Sequence, residues 1–595
     1  MDRRRFIGSA LYFTVASAGF GLGACSGGND NDGAPPPGSF SFPLGVASGD
    51  PRESSIVFWT RCLGPGPAPV DLRLEVAASP AFDSIVASVN LTAIPAYDFT
   101  VRAKVAGLAP ATTYHYRFVA GRDASAIGQS RTAPAATATP TQLRFAWITC
   151  QDWSVNHWAA FDLLAAEELD FVVHVGDYVY ETIGAAFQSG QAEPAHPRIT
   201  LPNGVAGGGS EGGIHAATLE DYRTLYRTYR GDKRLQEVHR KFPMIAIWDD
   251  HEFSNDCWQE HQTYDNSNAP EPGRRRSANQ AWAEYMPVDF GDVSFDLGNP
   301  GWDNIRIYRD FRFGTLLHLV MTDERLYRDD HVISEKALAS LLGHDTEHGD
   351  DRIGARIVVL QSLLREFERI DTRTLGHVPS ILGQAQSQWW KDTMKNSGAR
   401  WKAWGNEVTL NRLWLDLRNK VPPPLDQQYV LDADAWDGYP SHRGDLIGYL
   451  KAQGIANVVA LTGDLHAFQC GVIRDNPDPT VGTAVAVDFV AAGVSSSSLY
   501  ASLRQGIGGS ALETLLGSPA EFDALLRGQN PDLAYADHDA QGYALASVTA
   551  DAFTVTFNKV KPLDAGGVAP AAPLAKRTRI TLAAGSTTPV VEDNV

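Results

Sequence analysis

Four clusters of polar side chains each follow a short apolar run of the chain. The runs are 143–148, 171–175, 242–248 and 458–461. In the same order, they are followed along the chain by Cys150, by Asp177, by Asp250, and by Asp464 and His466. Short apolar runs of this kind predict buried strands. In open α/β sheets, ligands bind beyond the carboxyl ends of the strands. We therefore expect these side chains to converge on one site, which restricts the chain to an α/β fold class.

Segments with helical periodicity alternate with these strands. Leu219, Tyr222, Tyr226 and Tyr229 mark one face of a helix, and the pair Thr218 and Asp221 has the spacing of a capping box. Further strands are predicted at 316–322 and 485–490. Long insertions are expected at 183–215, 340–380 and 500–530, where segments near an active edge are often lids.

An all-β module is expected ahead of this region, over residues 44–137. Its predicted strands are 54–60, 72–76, 101–105 and 113–119, at sandwich-like spacing. The segment 107–117 resembles the fibronectin type III corner, in which a tyrosine, here Tyr114, ties down the following strand. The module carries no evident chemistry and is interpreted as structural support. The main domain is then expected over 143–560, with a C-terminal extension at 561–595.

The first residues have the pattern of a bacterial export signal. Arginines at positions 3–5 precede an apolar, glycine-containing run from 8 to 23, and residues 22–25, Leu-Gly-Ala-Cys, resemble a lipobox. This predicts a twin-arginine signal over 1–24, handled by the twin-arginine translocase, and acylation of Cys25 above a flexible tether at 25–43. A cleavage site with an incidental cysteine is the alternative. The expected location is the periplasm or cell envelope, with a lipid anchor as the one membrane attachment.

The chain carries a formal charge of −19. Nucleic acid is bound mainly through clustered lysine and arginine, so binding through a basic patch is not expected. The acidity is explained either by solubility or by carboxylates gathered around divalent cations.

The cysteines do not form an even set. Five are present, and Cys25 and Cys150 already have interpretations, which leaves Cys62, Cys257 and Cys470. An odd remainder in an exported protein argues against a disulfide framework. Because Cys257 and Cys470 follow two converging motifs, a bridge between them is a hypothesis.

One half of the expected site combines sulfur, oxygen and nitrogen donors. Asp177 is the natural bridging ligand, because its carboxylate has two oxygens, and Tyr180 lies three residues further on. Cys150 as thiolate and His466 as imidazole complete a shell that suits iron better than magnesium or calcium. The main alternative for Cys150 is a small, buried apolar side chain.

The other half offers oxygen donors alone. Asp250, Asn406 and Asp464, together with Asp177, describe the shell of a hard cation, for which calcium is expected. Asn406 has the alternative of a plain loop residue. His251 is left without a metal, and we expect it to hydrogen-bond phosphate or to assist departure of the leaving alkoxide.

Taken together, the motifs resemble the PhoD-like alkaline phosphatase family of the metallophosphoesterase superfamily. They lie at 42–51, 176–181, 222–227, 248–252, 434–440 and 463–466. The resemblance implies an αββα sandwich behind a fibronectin- or immunoglobulin-like domain. It also implies hydrolysis of phosphomonoesters and phosphodiesters at alkaline pH through a metal-bound hydroxide. The implied ligands are Cys150, Asp177, Tyr180 and His466 for Fe³⁺, and Asp177, Asp250, Asn406 and Asp464 for Ca²⁺.

Two positions depart from the family pattern. Glu407 stands where a glutamine is frequent, and 322–325 reads Thr-Asp-Glu-Arg where Leu-Asp-Thr-Arg is usual. Arg325 is a candidate phosphate-facing catalytic residue, with a structural ion pair as the alternative. The expected substrates are small or polymeric phosphate esters. Two other functions stay open, namely a phosphodiesterase or phospholipase D acting on lipids or wall polymers, and a metal-holding or adhesive lipoprotein without turnover.

Overall fold

Two large, mixed β-sheets form the centre of the molecule. The computed structural model describes residues 13–16, 38–188, 190–207, 212–264, 268–342, 354–478, 480–506 and 513–595. The larger sheet contains, in spatial order, Phe13–Ala16, Thr100–Ala106, Ser55–Arg61, Val46–Gly49, Met244–Ile247, Phe171–Val175, Leu143–Ile148, Gly542–Val548, Ala552–Val560, Leu574–Ala583 and Val590–Asp593. The second contains Arg309–Phe313, Leu317–Met321, Trp401–Gly405, Val458–Thr462, Ala484–Val490, Phe468–Arg474 and Leu533–Asp537. Apart from 13–16 and 38–43, the predicted signal and tether lie outside the described residues.

The two sheets pack face to face through aromatic side chains. The ring of Phe553 in the larger sheet lies 5.6 Å from Trp401 and 6.1 Å from Phe489, which both belong to the second sheet. Phe557 and Phe468 stack across the same interface at 4.7 Å. Burial of such large rings supplies much of the stabilisation of a core. Strands buried on both faces read as continuous apolar runs, which explains why the sequence revealed them.

Helices cover the outer face of each sheet. The helices that pack against the larger sheet are Ala159–Ala165, Leu219–Tyr229, Lys233–Lys241 and Pro272–Tyr285. Those packed against the second sheet are Gln361–Leu375, Gly383–Lys395 and Pro440–Ala452. The order helix, sheet, sheet, helix confirms the predicted αββα sandwich.

Shorter elements complete the chain. Within the described residues, the other α-helices are Glu335–Leu342, Leu499–Gly506, Glu513–Leu516 and Pro519–Gln529, and the 3₁₀ turns are Pro95–Tyr97, Asp250–Glu252 and Trp436–Gly438. Small sheets pair Thr182–Ile183 and Val205–Ala206 with Ile214–His215, Ser294–Phe295 with Ile305–Arg306, and Ile357–Leu360 and Trp414–Asp416 with Gln428–Asp432. Over the described ranges, a search for helices with the length and apolar character of a membrane span finds none.

The helix Leu219–Tyr229 begins as predicted. The Thr218 side chain accepts from the backbone N–H of Asp221, and the Asp221 carboxylate accepts from the backbone N–H of Thr218. This capping box satisfies donors that the first helical turn leaves unpaired. Tyr222, Tyr226 and Tyr229 are all buried, as the periodicity indicated.

The N-terminal region forms the expected all-β module. Val70–Ala77 pairs with Ile85–Ala93 and Thr113–Ala120, and Thr113–Ala120 also pairs with Asp123–Ala124 and Gly128–Arg131. This sheet shares a hydrophobic core with Ser55–Arg61 and Thr100–Ala106 of the larger sheet. The hydroxyl of Tyr114 accepts from the backbone N–H of Ala109 at 2.9 Å, so the predicted tyrosine corner is confirmed.

The module is continuous with the rest of the larger sheet through the strand Val46–Gly49. Gly49, at the end of its strand, pairs with Met244 of the next strand. A buried ion pair between Arg309 and Asp50, 2.7 Å long, lies beside this junction. A Cβ at Gly49 would approach the carbonyl oxygen of Pro287 to 2.2 Å, so close packing of backbones requires glycine here.

The proposed bridge between Cys257 and Cys470 is wrong, because both thiols are free and buried. The Cys257 sulfur lies 3.8 Å from the carbonyl oxygen of Asp250 and 3.8 Å from a guanidinium nitrogen of Arg275. Cys470 lies within Phe468–Arg474 in the second sheet. The two motifs lie close together, but Cys257 lies in the loop after Asp250–Glu252 and Cys470 lies within a strand, so the nearness of the motifs does not pair the two thiols.

Candidate metal centre

The predicted strands deliver their polar side chains to one edge. Leu143–Ile148, Phe171–Val175 and Met244–Ile247 are parallel neighbours, and Trp401–Gly405 and Val458–Thr462 are parallel neighbours in the facing sheet. Parallel strands end at the same edge, so the residues that follow them lie side by side. The convergence expected from the four apolar runs is confirmed.

The backbone turns sharply where each strand ends. Cys150, Asp177, Asp464 and His466 adopt positive φ angles of 53°, 56°, 58° and 55°. This left-handed conformation is uncommon for residues with a Cβ and concentrates at functional sites. These turns lie directly beyond the strand ends, in the residues whose ligand atoms come within 4.8 Å of other candidate ligands.

Gly176 makes the turn before Asp177 possible, which gives a first prediction. Its φ is +109°, and a Cβ there would lie 2.2 Å from the Cβ of Asp249 and 2.6 Å from the Asp249 nitrogen. We expect Gly176→Ala to lower the free energy of unfolding by roughly 3 kcal/mol, because it adds backbone strain and overpacking. Denaturant titration measures the change. Gly444→Ala is the matched control, since Gly444 has open space around it, and equal stability losses in both variants would contradict the prediction.

The first ligand group combines sulfur, oxygen and nitrogen. The candidate ligand atoms of Cys150, Asp177 and His466 all lie within 4.8 Å of one another. The Tyr180 hydroxyl donates to Asp177 Oδ2 at 3.1 Å and lies 3.2 Å from His466 Nε2. Ser496 Oγ lies 2.7 Å from the same hydroxyl. The four side chains predicted for iron therefore meet at one point.

The second group is rich in carboxylates. Asp177, Asp250 and His251 form one set of atoms within 4.8 Å of one another, and Asp249, Asp250 and Asp464 form another. Asp177 thus belongs to both halves of the site. Asn406 is fully buried directly after the strand Trp401–Gly405, where its Oδ1 accepts from the Trp436 indole at 2.9 Å and its amide nitrogen donates to Thr462 Oγ1 at 2.9 Å.

His251 is held by a carboxylate outside the ligand set. Its Nδ1 lies 2.7 Å from Glu181 Oε2, and its ring stacks on Tyr180 at 4.1 Å. Glu181 Oε1 accepts from Tyr264, Thr182 and the backbone N–H of Asn255. A carboxylate on Nδ1 fixes the ring and leaves Nε2 available for another partner.

Arg325 is engaged by carboxylates. Its side chain is fully buried, and its guanidinium contacts Asp249, Asp434 at 2.7 Å and Asp464 at 3.2 Å. This geometry favours a structural ion pair for Arg325 over direct contact with phosphate. In that role, the guanidinium orients the Asp464 carboxylate.

Glu324 and Glu407, the residues at the two positions that depart from the family pattern, hydrogen-bond to each other. The backbone N–H of Glu407 donates to Glu324 Oε2 at 3.1 Å, and the N–H of Glu324 donates to Glu407 Oε2. Burial raises the pKa of Glu324 to about 8. Burial, together with Glu324, raises the pKa of Glu407 well above its ordinary value. Neither side chain belongs to a group of converging ligand atoms found among the described residues.

The electrostatics fit a site built for cations. Burial, and then the neighbouring Asp250, raise the pKa of Asp177 well above its ordinary value. Burial, and then Asp249, do the same for the pKa of Asp464. Burial raises the pKa of Asp249 to about 7 against the opposing influence of Arg325. Crowded, buried carboxylates repel one another unless a cation lies between them, and a cation inverts these shifts. The side chains that converge here, a thiol, an imidazole and several carboxylates, are of types that bind metal ions.

A cavity of about 430 Å³ opens onto this centre. Asp177, Asp250, His251, Asp464 and His466 line its floor. The predicted insertions contribute to its walls through Ala186 and Phe187, through Arg356 and Ile357, and through Leu503, Gln505 and Gly506. The three predicted insertions therefore border the site, although parts of them lie outside the described residues.

Several residues of the centre were absent from the prediction. Glu252 accepts from the backbone N–H groups of Asp177 at 3.0 Å and of Asp249 at 2.8 Å, and so ties two ligand loops together. Asp249, Glu181, Glu252 and Asp434 lie inside the quoted motifs, so the sequence did contain a signal for them. Ser496 had none, because it reaches Tyr180 from a loop 316 residues away.

Comparison with known proteins agrees with this geometry. Residues 145–557 match the model of the PhoD-like phosphatase family, and residues 28–134 match that of the PhoD-like phosphatase N-terminal domain. The chain is 28% identical to alkaline phosphatase D of Bacillus subtilis (strain 168) over 564 residues, which cover 92% of this chain and 82% of that protein. A solved structure of PhoD, 26% identical, superposes with a TM-score of 0.72 and covers 94% of each chain. The chain belongs to the PhoD-like phosphatase family and is a hydrolase that acts on phosphoric ester bonds.

Proposed function

We propose that this protein is an exported alkaline phosphatase that hydrolyses phosphomonoesters and phosphodiesters at an iron and calcium centre. The observation that carries the proposal is the position of Asp177, whose carboxylate belongs both to the group with Cys150 and His466 and to the group with Asp250. One carboxylate between two different donor sets is what a binuclear site requires.

The donor chemistry supports a different ion in each half. Cys150, Asp177, Tyr180 and His466 would hold Fe³⁺, because thiolate, phenolate and imidazole favour a transition metal. Asp177, Asp250, Asn406 and Asp464 would hold Ca²⁺, because all four offer oxygen. Bound there, the ions would supply Lewis acidity that lowers the pKa of water and offsets the negative charge on phosphoryl oxygens.

The protein's own side chains complete the reaction. His251 lines the cavity floor, and with Glu181 on Nδ1 its Nε2 is placed to give a proton to the leaving alkoxide. Arg325 keeps Asp464 in place through their 3.2 Å contact. Water attacks phosphorus, the P–O bond to the alcohol breaks, and the alcohol leaves with a proton.

Export is the second part of the proposal. The arginines at positions 3–5 and the apolar run that follows support a twin-arginine route, and Cys25 supports a lipid anchor in the periplasm or envelope. Metabolic labelling with a fatty acid tests the anchor. Labelled protein that loses its label on Cys25→Ser agrees with the proposal, and unlabelled membrane-free protein contradicts the anchor.

Loss of the thiol gives a second prediction. We expect Cys150→Ser to reduce bound iron to a small fraction and to remove visible colour, because serine stays protonated where the thiolate would bind. Iron analysis and absorption spectra of the purified protein measure this. Cys62→Ser is the matched control, since Cys62 is equally buried and lies in the N-terminal core. Unchanged iron and colour in Cys150→Ser would return that residue to a packing role.

A comparison of substrates tests the function itself. The measurement is kcat/KM for an aryl phosphomonoester and its matching phosphodiester, at pH 8 to 9 with calcium, on protein that keeps its native metals. Turnover of either ester supports the proposal, and the ratio decides between a phosphatase and a phosphodiesterase. Bound metals without turnover would identify a metal-holding lipoprotein.

A further inference from the structure

One side of the cavity above the metal centre is apolar. Leu413, Leu431, Leu465 and Leu503 line it, and all four belong to a single hydrophobic cluster. They come from four separate segments of the chain. Phe187 extends this surface toward the floor, where its ring lies 5.1 Å from that of His251. We call these five side chains the apolar wall.

The polar side of the cavity carries carboxylates. Asp256, Asp432 and Asp434 line it in addition to the proposed ligands. Arg356 also lines it, but its guanidinium is held by Asp256 at 2.6 Å and by Glu335 at 2.7 Å. An ester with further phosphates would place them among these carboxylates. The charge pattern therefore favours a substrate with one phosphate.

We infer that the substrates are esters of a single phosphate with an apolar alcohol, and that the apolar wall selects that alcohol. The inference rests on the proposed function and names its substrate class. With phosphate over Asp177 and Asp250, the ester oxygen meets His251 and the alcohol lies along Phe187 and the leucines. A polyhydroxylated alcohol such as glycerol would leave hydroxyl groups against leucine side chains without hydrogen-bond partners, which is costly.

The cavity volume limits the size of that alcohol. About 430 Å³ accommodates a phosphoryl group and a short chain or a single ring, and it lies within the usual range of small-molecule sites. We therefore expect kcat/KM to stop rising with the length of the alkyl chain once that chain covers the apolar wall.

Alkyl phosphates from methyl to hexyl provide the test, because their leaving alcohols have similar pKa values. We expect kcat/KM to rise by roughly fourfold per methylene over the first members, as burial of each methylene predicts. Propyl phosphate should exceed glycerol 3-phosphate by roughly 10- to 100-fold. The assay is release of inorganic phosphate by the metal-loaded protein.

A flat series, or a preference for glycerol 3-phosphate or for a polymeric phosphodiester, overturns the inference and leaves the proposed function intact. Absence of hydrolysis of every ester overturns the proposed function.

Two variants link the selectivity to the wall. Leu503→Asn should flatten the dependence on chain length, and Leu503→Trp should shift its optimum to shorter alcohols by filling the cavity. Thermal melting verifies that each variant is folded. Because one substitution adds a polar group and the other adds volume, one variant still tests the inference if the other does not fold. Leu375→Asn is the control, since Leu375 is 47% exposed at the end of Gln361–Leu375. An unchanged dependence in a folded Leu503 variant would overturn the inference.

Discussion

Asp177→Asn is expected to reduce kcat/KM by roughly 10³-fold or more and to lower the content of both metals. The carboxylate lies within 4.8 Å of candidate ligands in both halves of the site. An amide offers one oxygen and no charge, so it cannot serve two cations. Metal-ion catalysis contributes several kcal/mol of transition-state stabilisation, and each 1.4 kcal/mol corresponds to a factor of ten. Metal analysis and steady-state kinetics on the same preparation measure both effects.

A buried carboxylate outside the site supplies the control for Asp177. Asp221 is fully buried in the capping box of Leu219–Tyr229, so Asp221→Asn tests the general effect of losing such a charge. We expect it to affect stability more than metal content. Normal metal content and retained turnover in Asp177→Asn would refute the bridging role.

His251→Asn is expected to lower kcat by about 10²- to 10⁴-fold on an alkyl phosphate, the usual contribution of a general acid. The loss should be much smaller on 4-nitrophenyl phosphate, because a nitrophenolate departs without a proton. Bound iron and calcium should persist, since the proposed ligands are unchanged. Parallel measurements of kcat on the two esters decide the role.

His377 provides the matched control for this variant. It pairs with Asp329 at 3.0 Å, and its side chain is 36% exposed outside the cavity lining. His377→Asn should change both rates little. Equal losses on the two esters in His251→Asn would contradict proton donation and indicate a role in binding phosphate.

The sequence alone predicted most of what depends on local pattern. The strands at 143–148 and 171–175 were found to the residue, because side chains buried on both faces of a sheet leave an unbroken apolar run. Strand ends then placed Cys150, Asp177 and Asp464 at one edge, since parallel strands share a direction. The capping box and the tyrosine corner followed from short-range hydrogen bonding.

Contacts between distant segments were decided by the tertiary structure. The sequence could not pair Glu181 with His251, separated by 70 residues, or engage Arg325 with Asp434, separated by 109. The bridge between Cys257 and Cys470 failed for the same reason, because proximity of two motifs does not fix the direction of the chain beyond them. The apolar wall likewise assembles from segments that carry no shared pattern. Periodicity records which face of an element is buried, whereas the partner that buries it is chosen by packing in three dimensions.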